Sequence, residues 1–129
     1  MSNELVLIVE DNEKNRKLER DVLQFQGYRV IETDNAEEGI RLARERKPAL
    51  ILMDFHLPGM DGIEALGVLR ASPETKRIPV IAVTASAMTE DTRKILAAGF
   101  DGLQTKPIHV KDFVQAVGDT IERFRYQAA

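Results

Sequence analysis

The pattern of apolar and polar positions gives five short runs that read as strands: 4–10 (ELVLIVE), 28–33 (YRVIET), 49–54 (ALILMD), 78–83 (IPVIAV) and 101–105 (DGLQT). The first, third and fourth are nearly continuous Val, Ile and Leu. Such runs mark strands buried on both faces of a parallel sheet. The fifth is the weakest and is read as a strand from its context. Amphipathic segments lie between the runs. After Asp11 or Asn12, either of them a good N-cap, Leu18, Val22 and Phe25 fall on one helical stripe. Gly27 sits where a helix end wants a residue with positive φ. Ala36, Ile40 and Ala43 follow Asp34 and Asn35 at the same spacing, and Pro48 closes that segment. Ile63, Leu66 and Leu69 repeat the pattern. Thr89 is a candidate cap for a helix that buries Ile95 and Leu96 and stops at Gly99. Val110, Phe113, Val117, Ile121 and Phe124 make the last stripe.

The elements alternate βαβαβαβαβα. Right-handed crossovers then put helices on both faces of a parallel sheet. Five strands favour the flavodoxin-like, doubly wound α/β order 2-1-3-4-5, with residues 1–129 as one domain. In such sheets the working site lies beyond the carboxyl ends of the strands, where strands 1 and 3 diverge. Strand 1 ends in Glu10-Asp11, strand 3 in Asp54. Thr84 follows strand 4 and Lys106 follows strand 5. The topology therefore gathers these five residues at one end of the sheet.

Three carboxylates brought that close cannot all stay ionised without a counter-ion. Oxygen donors with no His or Cys suit a hard cation. Mg²⁺ binds through one or two carboxylates, with phosphate oxygens and waters completing its shell. Read alone, Glu10 and Asp11 are helix-start acids that favour the macrodipole. Asp54 at the end of the adjoining strand turns the balance toward a Mg²⁺ site. A carboxylate can also be the nucleophile that forms an aspartyl-phosphate. Lys106 would then supply positive charge to the phosphoryl oxygens and the Thr84 hydroxyl a hydrogen bond. Taken singly, Lys106 is a solvated lysine and Thr84 a strand-end hydroxyl; the combination carries the specificity.

Charge and composition narrow the picture further. Against 21 Asp+Glu stand 18 Lys+Arg, a formal net charge of -3 that offers no footprint for nucleic acid. The absence of cysteine excludes disulfides and thiolate metal sites. The start "MSNEL" lacks a signal-peptide pattern, and no stretch approaches a membrane span. The expectation is a cytoplasmic protein that engages neither nucleic acid nor membrane.

The segments "LIVEDN", "LILMDFHLPGMDG", "VIAVTAS" and "TKPI" resemble the four signature segments of the receiver domain of two-component response regulators. The resemblance spans essentially the whole chain, with the expected separations. It implies phosphorylation of Asp54 by a histidine kinase or phosphotransfer protein. It implies Mg²⁺ held by Asp11, Asp54 and the backbone carbonyl of His56, with Glu10 helping through water. Thr84 and Lys106 would contact the phosphoryl group, small Ala85 would leave access open to a phosphodonor, and the Lys106–Pro107 peptide would be cis. The fourth helix, fifth strand and fifth helix would form the face offered to a downstream protein. No output domain follows, so a stand-alone receiver is expected. "VEDNEKNRKL", "QGY", "KPALILMD" and "AVTASAM" look most like the single-domain cell-cycle receivers of the DivK type.

One position departs from that pattern. Leu103 stands where the family usually carries an aromatic or His whose ring turns inward on activation. Leucine has no polar tip to hold it in water, so the expectation is an inward Leu103 even without phosphate. The His56 side chain reads as exposed, and His109 as a surface residue. Gly62 in "GMDG" reads as a turn residue chosen for backbone freedom. Two other functions compete on similar grounds. A haloacid-dehalogenase-type phosphatase would place a second Asp two residues after the nucleophile, where this chain has His56. A flavin carrier would need a Ser/Thr/Gly-rich phosphate loop after strand 1, where "EDNEKN" is acidic.

Overall fold

The computed structural model describes residues 3–85 and 89–128; of 89–91 and 126–128 it describes the backbone alone. Five strands and five helices alternate: β1 (Leu5–Val9), α1 (Glu13–Phe25), β2 (Arg29–Thr33), α2 (Ala36–Arg46), β3 (Leu50–Asp54), α3 (Gly62–Ala71), β4 (Val80–Thr84), α4 (Thr89–Ala98), β5 (Gly102–Thr105) and α5 (Val110–Ala128). The strands pair in parallel in the order β2-β1-β3-β4-β5. The three inner strands are buried along their whole length, whereas β2 and β5 at the edges are only partly covered. This is why the inner strands read as continuous apolar runs and the edges do not.

Each face of the sheet has its own core. On one side Ala36, Ile40 and Ala43 of α2, Leu66 and Leu69 of α3 and Ile95 of α4 pack on Leu7, Val9, Ile51, Met53, Val80 and Ala82. On the other, Leu23 of α1 and Phe113, Val117 and Ile121 of α5 cover Val6, Ile8, Leu50, Leu52, Ile81 and Val83. The alternation along each strand sends neighbouring side chains to opposite cores.

Several helix faces differ from the stripes expected of them. Leu18 and Phe25 lie outward, with Phe25 87% exposed, and the buried residues of α1 are Glu19 and Leu23. Packing decides this, because Leu23 enters the core shared with α5. Asn12, not Asp11, accepts from the Asn15 amide at 3.0 Å, and this fixes where α1 begins. Ile63, Leu96 and Val110 are also exposed. Thr89 is the first described residue of α4, and its side chain lies outside the described ones. Thr84 closes β4 instead of following it.

Two glycines near β3 have different tasks. Gly59 takes φ +84°, the left-handed conformation that favours glycine. Gly62 has no positive φ. A Cβ on it would stand 3.1 Å from the Phe55 Cα and 3.2 Å from the Phe55 carbonyl oxygen, so it is needed for close approach and not for backbone freedom. Gly27 has the positive φ expected after α1.

Candidate functional site

Glu10 leaves β1 with its amide still held by the Thr33 carbonyl at 3.0 Å. Its own carbonyl accepts from the Arg16 guanidinium at 2.8 Å, and its Oε2 accepts from the Asn12 amide at 3.1 Å. The side chain is thereby turned into the protein, 1% exposed, while Asp11 remains exposed beside it. Because Asn12 caps α1, the Asp11 carboxylate is released from capping duty. Asp54, the last residue of β3, is 4% exposed, and its Oδ1 accepts from the His56 amide at 3.1 Å. One oxygen each from Glu10, Asp11 and Asp54 can lie within 4.8 Å of one another.

Lys106 enters from the far side of the sheet's switch point. Its amide donates to the Thr84 carbonyl at 2.8 Å, continuing the pairing of β4 with β5. Its Nζ lies 3.0 Å from Asp54 Oδ2 and 2.9 Å from Glu10 Oε1. The angles at Oε1 do not make a hydrogen bond, and the Glu10 bond runs to Oε2 at 3.2 Å. One ammonium thus sits between two buried carboxylates.

The charges compete. Burial, then the field of Glu10, push the Asp54 carboxyl above its ordinary range, and the Lys106 hydrogen bond only partly opposes them. Burial would lower the Lys106 ammonium, but its hydrogen bonds to Glu10 and Asp54 prevail and hold it above its usual value. The site therefore carries more negative charge than one lysine neutralises, which is the setting for a cation. The donor set consists of carboxylate oxygens, and Glu10 Oε1 is buried with no hydrogen-bond donor among the described residues. That fits a hard divalent ion such as Mg²⁺.

The expected site residues divide clearly. Glu10, Asp11, Asp54 and Lys106 converge. Thr84 is fully buried at the end of β4, and Ala85 beyond it is exposed. The Lys106–Pro107 peptide is cis. The His56 side chain is exposed, with its ring edge-on to Phe55 at 5.0 Å, and His109 is exposed. Leu103 is partly buried, packed against the core shared by α2, α3 and α4. Sequence reasoning missed Glu19, which is 2% exposed on α1 and lies in the fields of Glu10, Lys106 and Asp54. Its only signal was the four-residue step to Leu23, hidden because a glutamate is ordinarily assigned to solvent.

The model of the response regulator receiver domain matches residues 6–118. The chain belongs to this family. The polar-differentiation response regulator DivK of Brucella anthropi is 46% identical over 112 residues, which cover 87% of this chain and 91% of that protein. DivK of Brucella abortus gives the same identity and coverage. Among solved structures, the receiver domain of the sensor histidine kinase PA1611 from Pseudomonas aeruginosa PAO1 is 31% identical with a TM-score of 0.87. The match covers 94% of this receiver and 99% of that chain, and that structure holds a magnesium ion in its active site cleft. A CheY-like receiver from Methanospirillum hungatei JF-1 is 27% identical with a TM-score of 0.88, covering 98% and 99%. This receiver is therefore a phosphorylation-switched module of two-component signalling, akin to the single-domain DivK response regulators.

Proposed function

We propose that Asp54 is the phosphoacceptor and that the whole chain acts as a stand-alone receiver, in the cytoplasm, between a histidine kinase or phosphotransfer protein and a downstream protein target. An Asp54 oxygen attacks the phosphorus of a phosphohistidine. The new O–P bond replaces the P–N bond, and the departing imidazole regains a proton. The observation that carries this reading is the convergence of three carboxylates and one ammonium on Asp54. Asp11, Asp54 and the His56 carbonyl, with Glu10 behind them, are the groups that would hold Mg²⁺. When bound, Mg²⁺ neutralises the charge on the phosphoryl oxygens.

The protein's own part is positioning. The His56 amide and Lys106 hold the two Asp54 oxygens in place before any donor arrives. After transfer, Lys106 turns from carboxylate to phosphoryl oxygen, and Thr84 offers its hydroxyl. Ala85 leaves the approach open. The only chemistry catalysed is the receiver's own phosphorylation and slow dephosphorylation. Output passes to the α4–β5–α5 face, which borders Thr84 and Lys106 through the pairing of β4 with β5. Neither nucleic acid nor membrane is part of this scheme.

Incubation with Mg²⁺ and acetyl phosphate, followed by intact mass, tests the chemistry without any partner. A single phosphate adduct that disappears in Asp54→Asn is expected. An adduct of equal yield in Asp54→Asn would place the nucleophile elsewhere.

A further inference from the structure

Glu19 has no place in the scheme above, yet it is among the best-buried acids of the described chain. It lies on the inward face of α1, where Leu23 one turn later joins the apolar core against α5. Its Oε2 is buried and has no hydrogen-bond partner among the described residues. The charges whose fields reach it are Glu10 beyond β1, Asp54 on β3 and Lys106 beyond β5. None of them serves it as a private counter-ion, because the Lys106 ammonium is already shared by Glu10 and Asp54. On α1 itself, Arg16 and Arg20 are engaged with Glu32. On α5, Lys111, Asp112 and Asp119 are exposed and point their charge to water.

A carboxylate in that position would be buried, unpaired and repelled by two others. The chemistry open to it is to keep its proton. A divalent cation at Glu10, Asp11 and Asp54 would reverse the local field. We infer that Glu19 is a proton-binding site linked to the acidic site, holding its proton when that site lacks a cation and releasing it to solvent when a divalent cation binds. The step is the loss of one O–H proton to water, with no other bond changed. It rests on the reading that the acidic site takes Mg²⁺. The direction of the Glu19 equilibrium agrees: burial first, then the charge of Glu10, push it up to about 8.

The consequence is a Mg²⁺ affinity that depends on pH well above the ordinary carboxylate range. With about half a proton released per ion, the affinity tightens about threefold per pH unit near neutrality. Calorimetric titration of the metal-free protein with MgCl₂ at pH 7.5, in PIPES and in Tris, reads the protons released per ion from the difference between the two buffers. The expected result is fractional release by the native chain, most of it lost in Glu19→Gln, with Mg²⁺ still bound by the variant. Equal release by the two proteins would overturn the inference and leave the Mg²⁺ reading intact. No binding to either would overturn the Mg²⁺ reading and the linkage with it. Carbon-detected NMR of the side-chain carboxyls gives a second measurement on the metal-free protein. A Glu19 midpoint near its ordinary 4.5 would overturn the inference whatever Mg²⁺ does.

Discussion

Replacing Lys106 with methionine keeps the side chain as far as Cε and removes the ammonium. The structure sets the size of the effect. The ammonium stands 2.9 and 3.0 Å from oxygens of Glu10 and Asp54, which are 1% and 4% exposed. At an effective dielectric of about 20, each contact is worth roughly 5 kcal/mol of gross attraction. Most of that offsets the desolvation of the two acids, so it is not the net loss. Removing one partner of a buried pair costs about 3–5 kcal/mol. The lower end applies here, because Lys106 keeps contact with water and Asp54, with its raised carboxyl, can take up a proton. That escape sets the pH dependence. Asp54 already has a raised carboxyl, and the loss of Lys106 raises it further. A group raised in the folded state contributes stability at low pH and loses it as pH rises, so the deficit of Lys106→Met grows from pH 5 to pH 8.

Mg²⁺ then distinguishes an acid site from a merely structural ion pair. In the native chain a cation must compete with the ammonium for Glu10 and Asp54. In Lys106→Met it meets the same carboxylates without a competitor, and it should bind more tightly. An ion at about 100 times its Kd adds roughly 2.7 kcal/mol to folding stability. Urea unfolding at pH 7.5 should therefore show a loss of about 3 kcal/mol in EDTA. Saturating Mg²⁺ should recover about half of it or more. A loss below about 1 kcal/mol, or an equal Mg²⁺ increment in both proteins, would refute this account of the site.

Other outcomes follow from the same geometry. Asp54→Asn should block phosphorylation by acetyl phosphate in intact mass and raise stability on the order of 1 kcal/mol at pH 7, because one carboxylate leaves a repelling cluster. Glu19 is raised from 4.5 to about 8, so it should draw stability away as pH climbs through that window by about 1.4 kcal/mol per unit; urea unfolding of Glu19→Leu should show a flatter dependence than the native chain. Gly62→Ala pushes a methyl group to 3.1 Å from the Phe55 backbone and should cost about 1–3 kcal/mol by thermal or urea unfolding. Leu103→Tyr should enlarge the amide shift changes that beryllofluoride produces across residues 92–110, and unchanged shifts would count against a role for this position in switching.

The parts of the molecule that were legible in the sequence are those where one physical effect dominates. Residues 5–9, 50–53 and 80–83 are apolar throughout because both faces of the sheet are covered, and no other requirement competes until the strand ends at Asp54 and Thr84. Asp54 and Lys106 were legible as a site because topology alone carries strand ends to one edge. The helices follow a weaker rule. On α1 the stripe Leu18, Val22, Phe25 is as periodic as the true inward pair Glu19 and Leu23. Only the packing of Leu23 against the sheet and α5 chooses between them. Apolar period cannot make that choice when the winning face contains a glutamate. Gly62 was misread for a similar reason: a sequence reveals that a side chain is missing, not whether φ or space demanded it.

Glu19 and the site belong to one electrostatic problem. Among the described residues, the Lys106 ammonium is held directly by Glu10 and Asp54, with Asp11 beside those two acids and Glu19 within the reach of its field. The fold can keep such a cluster because each acid has a different remedy: Asp11 has water, Glu10 and Asp54 have Lys106, and Glu19 has its proton. A phosphoryl group on Asp54 would upset this partition by drawing Lys106 away from Glu10. The backbone of Lys106 is bonded to Thr84, and β4 pairs Thr84 with Thr105 and Ala82 with Leu103. A pull on the ammonium therefore acts on an edge strand that is only partly covered and has one strand neighbour. A ligand shifts such an equilibrium only by its differential contacts with the two states. Here the differential contact is the exchange of partners by Lys106, and β5 is a partly covered edge strand free to yield to it.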